Sequence, residues 1–156
     1  MIKVVFVCLG NICRSPTAEG VFRHLVEQQG LGDQIAADSS GTSGWHNGDA
    51  PDLRAQKTAK SRGIDLSALR SRKAIAEDFK TFDYVVAMDS SNYRDLLSVC
   101  PPGYENRLHM FLSFAPDLER VDVPDPYYHD GFDGVFDMLE IASIGLLADI
   151  RQRYDL

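Results

Sequence analysis

A chain of 156 residues with 16 basic and 23 acidic side chains, net charge −7, is expected to form a single domain spanning 1–156. That charge argues against nucleic acid or an anionic membrane as a general partner, and no stretch of the chain approaches membrane-spanning length. A hydrophobic fraction of 44% and a charged fraction of 25% are ordinary for a globular protein.

Residues 2–7 are β-branched and aromatic, which suits a buried parallel strand. A helix is expected over 15–29, with Ser15 in a capping position, Pro16 in the first turn and Gly30 as its stop. Residues 34–40 read as a second strand, 41–48 as a Gly- and Asn-rich loop, and 49–61 as a second helix with its opening turn. Residues 84–88 form the next buried strand, and Asp89 caps a helix over 90–99. A fourth strand at 108–112 and a loop at 121–132 lead to a closing helix over 133–154. Its apolar stripe is Val135, Phe136, Leu139, Ala142, Leu146 and Ile150. Strands alternating with helices imply an α/β, doubly wound, four-stranded parallel sheet with helices on both faces. Ligands bind such folds outside the carboxyl ends of the strands, where Cys8 and the residues after Met88 both lie.

The segment Cys8-Leu9-Gly10-Asn11-Ile12-Cys13-Arg14-Ser15 occupies the first strand-to-helix turn. The backbone N–H groups of such a turn converge on an anion, and the helix dipole adds positive potential. Arg14 supplies a planar fork for two phosphate oxygens. In the same field Cys8 is expected as a nucleophilic thiolate, so the segment predicts a cysteine that attacks an oxyanion ester. Asn11 suits a left-handed position in the loop. Ser15 is expected to hydrogen-bond the thiolate, to cap the helix, or to do both.

Asp125 stands between Pro124 and Pro126, which restrict the backbone on either side. On these residues alone it reads equally as a proton donor to a leaving oxygen or as part of a rigid turn. Trp45, Tyr127 and Tyr128 are loop aromatics expected to wall a substrate ring, with packing on the domain's own core as the alternative for Trp45 and Tyr128. The three cysteines, Cys8, Cys13 and Cys100, show no CxxC and no secreted pattern, and Met1-Ile2-Lys3 leads into a run too brief for a signal peptide. A cytoplasmic setting is expected. His24, His46, His109 and His129 lack metal-ligand spacing and are expected as surface or packing residues, with no metal and no cofactor.

Cys-Leu-Gly-Asn-Ile-Cys-Arg-Ser-Pro resembles the signature of the low-molecular-weight protein tyrosine phosphatases, as do Asp38-Ser39-Ser40-Gly41-Thr42, Ala87 to Asn92 and Asp125-Pro126-Tyr127-Tyr128. The likeness runs through the whole chain. It implies phosphotyrosine hydrolysis through a phosphocysteine, with Cys8, Arg14, Asp125 and Ser15 as catalytic residues and Asp125 as the proton donor. It also implies that Leu9, Gly10, Asn11, Ile12, Cys13, Trp45, Tyr127 and Tyr128 bind substrate, and that Cys13 can pair reversibly with Cys8 under oxidants. Tyrosine-phosphorylated proteins are the implied partners, and a monomer is expected.

Two positions depart from the family pattern. Leu69 replaces a histidine that supports the loop Asn in some relatives, and His129 follows the tyrosine pair where glycine is frequent. Arsenate reductases share the loop but need two further redox cysteines, and residues 80–99 contain none. Arginine-phosphate phosphatases generally have Thr where Ile12 stands. A noncatalytic phosphate-binding module would not need Cys8, Arg14 and Asp125 together.

Overall fold

The computed structural model describes residues 1–126 and 131–156. Four strands, β1 (Ile2–Cys8), β2 (Ile35–Gly41), β3 (Tyr84–Ala87) and β4 (Leu108–Met110), form one sheet in the order β2-β1-β3-β4. Every pairing is parallel, with Cys8 opposite Gly41 and Val7 opposite Ala87. The helices are α1 (Arg14–Gln28), α2 (Leu53–Ser61), α3 (Asp78–Thr81), α4 (Ser90–Val99) and α5 (Gly131–Tyr154). This is the expected doubly wound α/β architecture. The strand order reverses between β1 and β3, which opens a crevice at their carboxyl ends.

The alternation of side chains along each strand divides the core in two. Val4, Phe6 and Cys8 of β1 join Tyr84 and Val86 of β3 beneath α1 and α5, where Phe22, Val26, Leu139, Leu146 and Ile150 cover them. Val5, Val7, Val85 and Ala87 face the other way, onto Phe79, Phe82 and Leu96. Both faces of β1 are therefore apolar, as its near-continuous run of β-branched residues requires. A third cluster of Val21, Ala59, Ile64, Leu66 and Phe136 seats α2 against α1 and α5. Gly145 brings α5 close to the turn at Phe111–Phe114: a Cβ there would meet the Phe114 carbonyl oxygen at 1.8 Å.

Several boundaries move from their expected places. Helix α1 starts at Arg14 with Cys13 at its cap position and no side-chain cap, so Ser15 lies inside the first turn. Its hydroxyl is engaged with Cys8 and Ser40 instead of with the helix N-terminus, which overturns the capping expectation. The fourth strand ends at Met110 and the chain continues as a 3-10 turn from Phe111. The short α3 had no counterpart among the expected elements, because four residues hold no period long enough to read.

His109 on β4 packs between the rings of Tyr84 and Phe114, at 5.2 and 5.5 Å. Burial, and then the nearby Arg153 charge, push its imidazole pKa below the ordinary 6.5, against a smaller pull from Asp149. A depressed folded-state value means the stability linked to this residue is complete above about pH 6.5 and is lost as the pH falls. His109→Phe is therefore expected to lose less thermal stability than the wild type between pH 7.5 and pH 5. An equal loss in both, measured by thermal melts, would refute this account of His109.

Candidate active site

The loop Leu9–Cys13 joins β1 to α1 at the sheet's reversal point, and its peptide carbonyls are tied outward. Thr42 N donates to Cys8 O at 2.9 Å, Ser43 N to Leu9 O at 2.9 Å, and Asp52 N to Ile12 O at 2.8 Å. Ser71 Oγ donates to Gly10 O at 3.2 Å, and Thr17 Oγ1 to Cys13 O at 2.6 Å. In a trans peptide C=O and N–H point in opposite directions, so outward carbonyls turn the following amides inward. The Asn11 amide illustrates this, donating to Cys8 Sγ at 3.3 Å. Asn11 takes φ 55, the left-handed geometry expected of it. Gly41 allows the close approach: a Cβ there would lie 2.8 Å from Leu9 O and 3.1 Å from Asn11 N.

The inward face lines a cavity of about 150 Å³ bounded by Cys8, Leu9, Gly10, Ile12, Cys13, Arg14, His46, Asp125 and Pro126. Cys8 is 3% exposed, with its sulfur 3.0 Å from Ser15 Oγ. Arg14 Nη1 donates to Asp89 Oδ2 at 2.7 Å and to Val123 O at 3.0 Å. Burial opposes its charge, but attraction to Cys8, then Asp89 and Asp125, outweighs that and holds the guanidinium pKa above its ordinary value. Asp89 also caps α4, its Oδ1 accepting from Asn92 N at 2.8 Å, so a single carboxylate fixes both a helix and an arginine. Val123 N donates to Met88 O at 2.8 Å, which hangs the segment carrying Asp125 on the end of β3. Asp125 is half-buried and faces the cavity that holds Cys8.

Asn11 is held from three directions. Its Nδ2 donates to Ser15 Oγ at 2.8 Å and to Ser39 Oγ at 3.0 Å, and its Oδ1 accepts from Arg72 N at 3.0 Å. Leu69 packs instead on the cluster beneath α2, so the histidine of other sequences has no equivalent here. The Arg72 guanidinium is itself pinned, pairing with Asp38 and Asp78 at 3.1 Å each.

The structure thus brings together Cys8 to Arg14 and Asp125, with Ser15 buried behind the sulfur. Trp45 does not join them: it is 88% exposed and does not line the cavity. His46 lines it instead, its ring against Gly10 and its Nδ1 3.1 Å from Asp49 Oδ2. The turn closed by Asn47 N on Gly44 O places one of two adjacent side chains inward, and sequence alone gives no sign of which. Tyr127, Tyr128 and His129 lie outside the described residues. Cys13 is buried, in no disulfide, and faces both this cavity and a small void beside Ala55 and Val135. Cys100 is a free thiol beside Pro101, and burial pushes it up.

The family model for the low molecular weight phosphotyrosine protein phosphatases matches residues 3–155. A Bacillus subtilis low molecular weight protein-tyrosine-phosphatase, YfkJ, is 40% identical over 100% of both chains. A protein tyrosine phosphatase from Entamoeba histolytica, solved with Hepes in its active site, superposes with a TM-score of 0.94 at 40% identity, covering 99% of each chain. A Drosophila arginine phosphatase superposes with a TM-score of 0.87 at 31% identity, covering 96% of this chain and 98% of that one.

Asp89→Asn keeps the helix cap but replaces the arginine's charged partner with an amide. It is expected to melt close to wild type while binding inorganic phosphate about fivefold more weakly by calorimetry, since the ion pair that aims the guanidinium becomes a weaker bond to an uncharged amide. Unchanged phosphate affinity would show that Arg14 is positioned without Asp89.

Proposed function

The chain belongs to the low molecular weight phosphotyrosine protein phosphatase family and is a protein-tyrosine phosphatase; from that premise we propose how its residues divide the reaction. Cys8 attacks phosphorus in line, forming the S–P bond as the P–O bond to the tyrosyl oxygen breaks. Arg14 and the loop amides hold the equatorial oxygens, and Asp125 delivers a proton to the departing phenol oxygen. Asp125 then takes a proton from the water that attacks the phosphocysteine, and Cys8 leaves as thiolate toward the Ser15 hydroxyl. Fixed dipoles and a fixed charge supply most of the stabilisation, because they need not reorganise as charge develops.

A single observation carries this division: a sulfur nucleophile, an inward amide edge, an anchored guanidinium and a carboxyl group all face one cavity. The substrates are proteins bearing phosphotyrosine. Ile12 presents an apolar wall to that cavity, which suits an aryl ester better than a guanidinium phosphate. A reducing compartment such as the cytoplasm suits a reaction that needs Cys8 as a thiol. Among the described residues no helix is long and apolar enough to cross a membrane.

Cys8→Ser is expected to abolish release of phosphate from phenyl phosphate, and the wild type to turn over phenyl phosphate but not phosphoarginine. Asp125→Asn should slow phenyl phosphate by about 10²–10⁴-fold, the range for loss of a positioned acid. Esters of strongly acidic phenols, which leave without a proton, should slow far less in that variant. Equal losses across the leaving-group series would remove Asp125 from the proton-donor role.

A further inference from the structure

One buried carboxylate has no part in the chemistry above. Glu19 is 3% exposed on α1, facing β2 beneath the phosphate loop. Ser39 Oγ donates to its Oε1 at 2.7 Å, and Arg23 Nη2 donates to its Oε2 at 2.6 Å. From Ser39 an unbroken chain runs to the nucleophile, through Asn11 Nδ2 at 3.0 Å, Ser15 Oγ at 2.8 Å and Cys8 Sγ at 3.0 Å.

We propose that Glu19 is a positioning residue for the phosphatase reaction assigned above, because it fixes the direction of the hydrogen-bond chain that ends on the Cys8 sulfur. Counting protons along the chain sets its direction. An ionised carboxylate only accepts, and a serine hydroxyl has one proton to give. Ser39 spends that proton on Glu19, so toward Asn11 it can only accept. Asn11 therefore turns its NH₂ toward both serines. Its oxygen then meets the Arg72 amide, which enforces the same orientation from the other side. Ser15, accepting from Asn11, keeps its own proton for an acceptor beyond it. The candidates are Cys8 Sγ at 3.0 Å and Ser40 O at 3.2 Å. An anionic sulfur is the stronger acceptor, so the proton points at the thiolate when the thiolate leaves phosphorus.

The environment fits a carboxylate retained at some cost. Burial raises the Glu19 pKa, and the bonds from Ser39 and the charge of Arg23 oppose that rise. Leu69 leaves the Asn11 side chain without a histidine, and the Glu19–Ser39 pair and the Arg72 amide do the holding.

The sulfur is a leaving group only in the second step, so the effect belongs to phosphocysteine breakdown. With p-nitrophenyl phosphate, Glu19→Gln and Ser39→Ala are each expected to lower kcat about tenfold, a typical coupling within one buried network. KM should fall with it, leaving kcat/KM within about twofold, the pattern of a slowed breakdown step. The pre-steady-state burst of nitrophenol should persist in both variants, and the double variant should be no slower than Ser39→Ala alone. Ser39→Ala cuts the chain but leaves the Glu19–Arg23 pair intact, and so carries the test if Glu19→Gln fails to fold. Unchanged kcat, equal losses in kcat and kcat/KM, or additive losses in the double variant would each overturn the proposal. A Cys8→Ser variant that keeps its turnover would instead strike at the phosphocysteine route itself, which separates the two failures.

Discussion

The outward tethering of the phosphate-loop carbonyls is the constraint on which the rest of the molecule depends. Five carbonyls, those of Cys8, Leu9, Gly10, Ile12 and Cys13, are bound by donors outside the cavity. Peptide planarity converts that arrangement into an inward ring of N–H groups. No side chain could supply such a dense set of donors in so small a space. The cost is a left-handed Asn11 and an approach to Gly41 that tolerates no Cβ. Both are met locally, one by a residue that accepts positive φ and the other by glycine.

An acidic protein that binds a dianion must overcome its own long-range field. The net charge is −7, yet the cavity floor holds amide dipoles, the start of α1 and the Arg14 guanidinium. Carboxylates at Asp89 and Asp125 lie nearby, and their effect is to keep the arginine charged and aimed. At contact distance inside a poorly solvated pocket these local terms dominate, while the distant charges are screened by salt. The recognition is therefore one of short range and fixed geometry.

Much of this was legible in the sequence because it is local. A strand, a turn with Cys8 and Arg14, and a helix occupy one contiguous stretch, and the apolar periods of the strands and of α5 gave the architecture. Asp125 was visible through its flanking prolines and its likeness to related sequences. What escaped detection is contributed from far along the chain. Asp89 reads only as a helix cap, and nothing in its neighbourhood announces Arg14, 75 positions away. The Arg72 amide that holds Asn11 is a backbone donor with no side-chain signature. Trp45 and His46 exchange places because the rotation of one tight turn decides which points inward. Ser15 lies inside the first turn of α1 with its hydroxyl on Cys8 and Ser40, so of its two expected roles only the one at the sulfur remains.

The donors that hold the loop come from Thr42, Ser43, Asp52, Ser71 and Arg72, and its arginine is anchored by Asp89 and Val123. No fragment of the chain contains the whole set, so the cradle exists only after β2, β1 and β3 have assembled. By mass action, any oxyanion that occupies it favours the assembled molecule over every partly opened form. Inorganic phosphate thus acts as a stabilising solute for this fold as well as being a product of its chemistry.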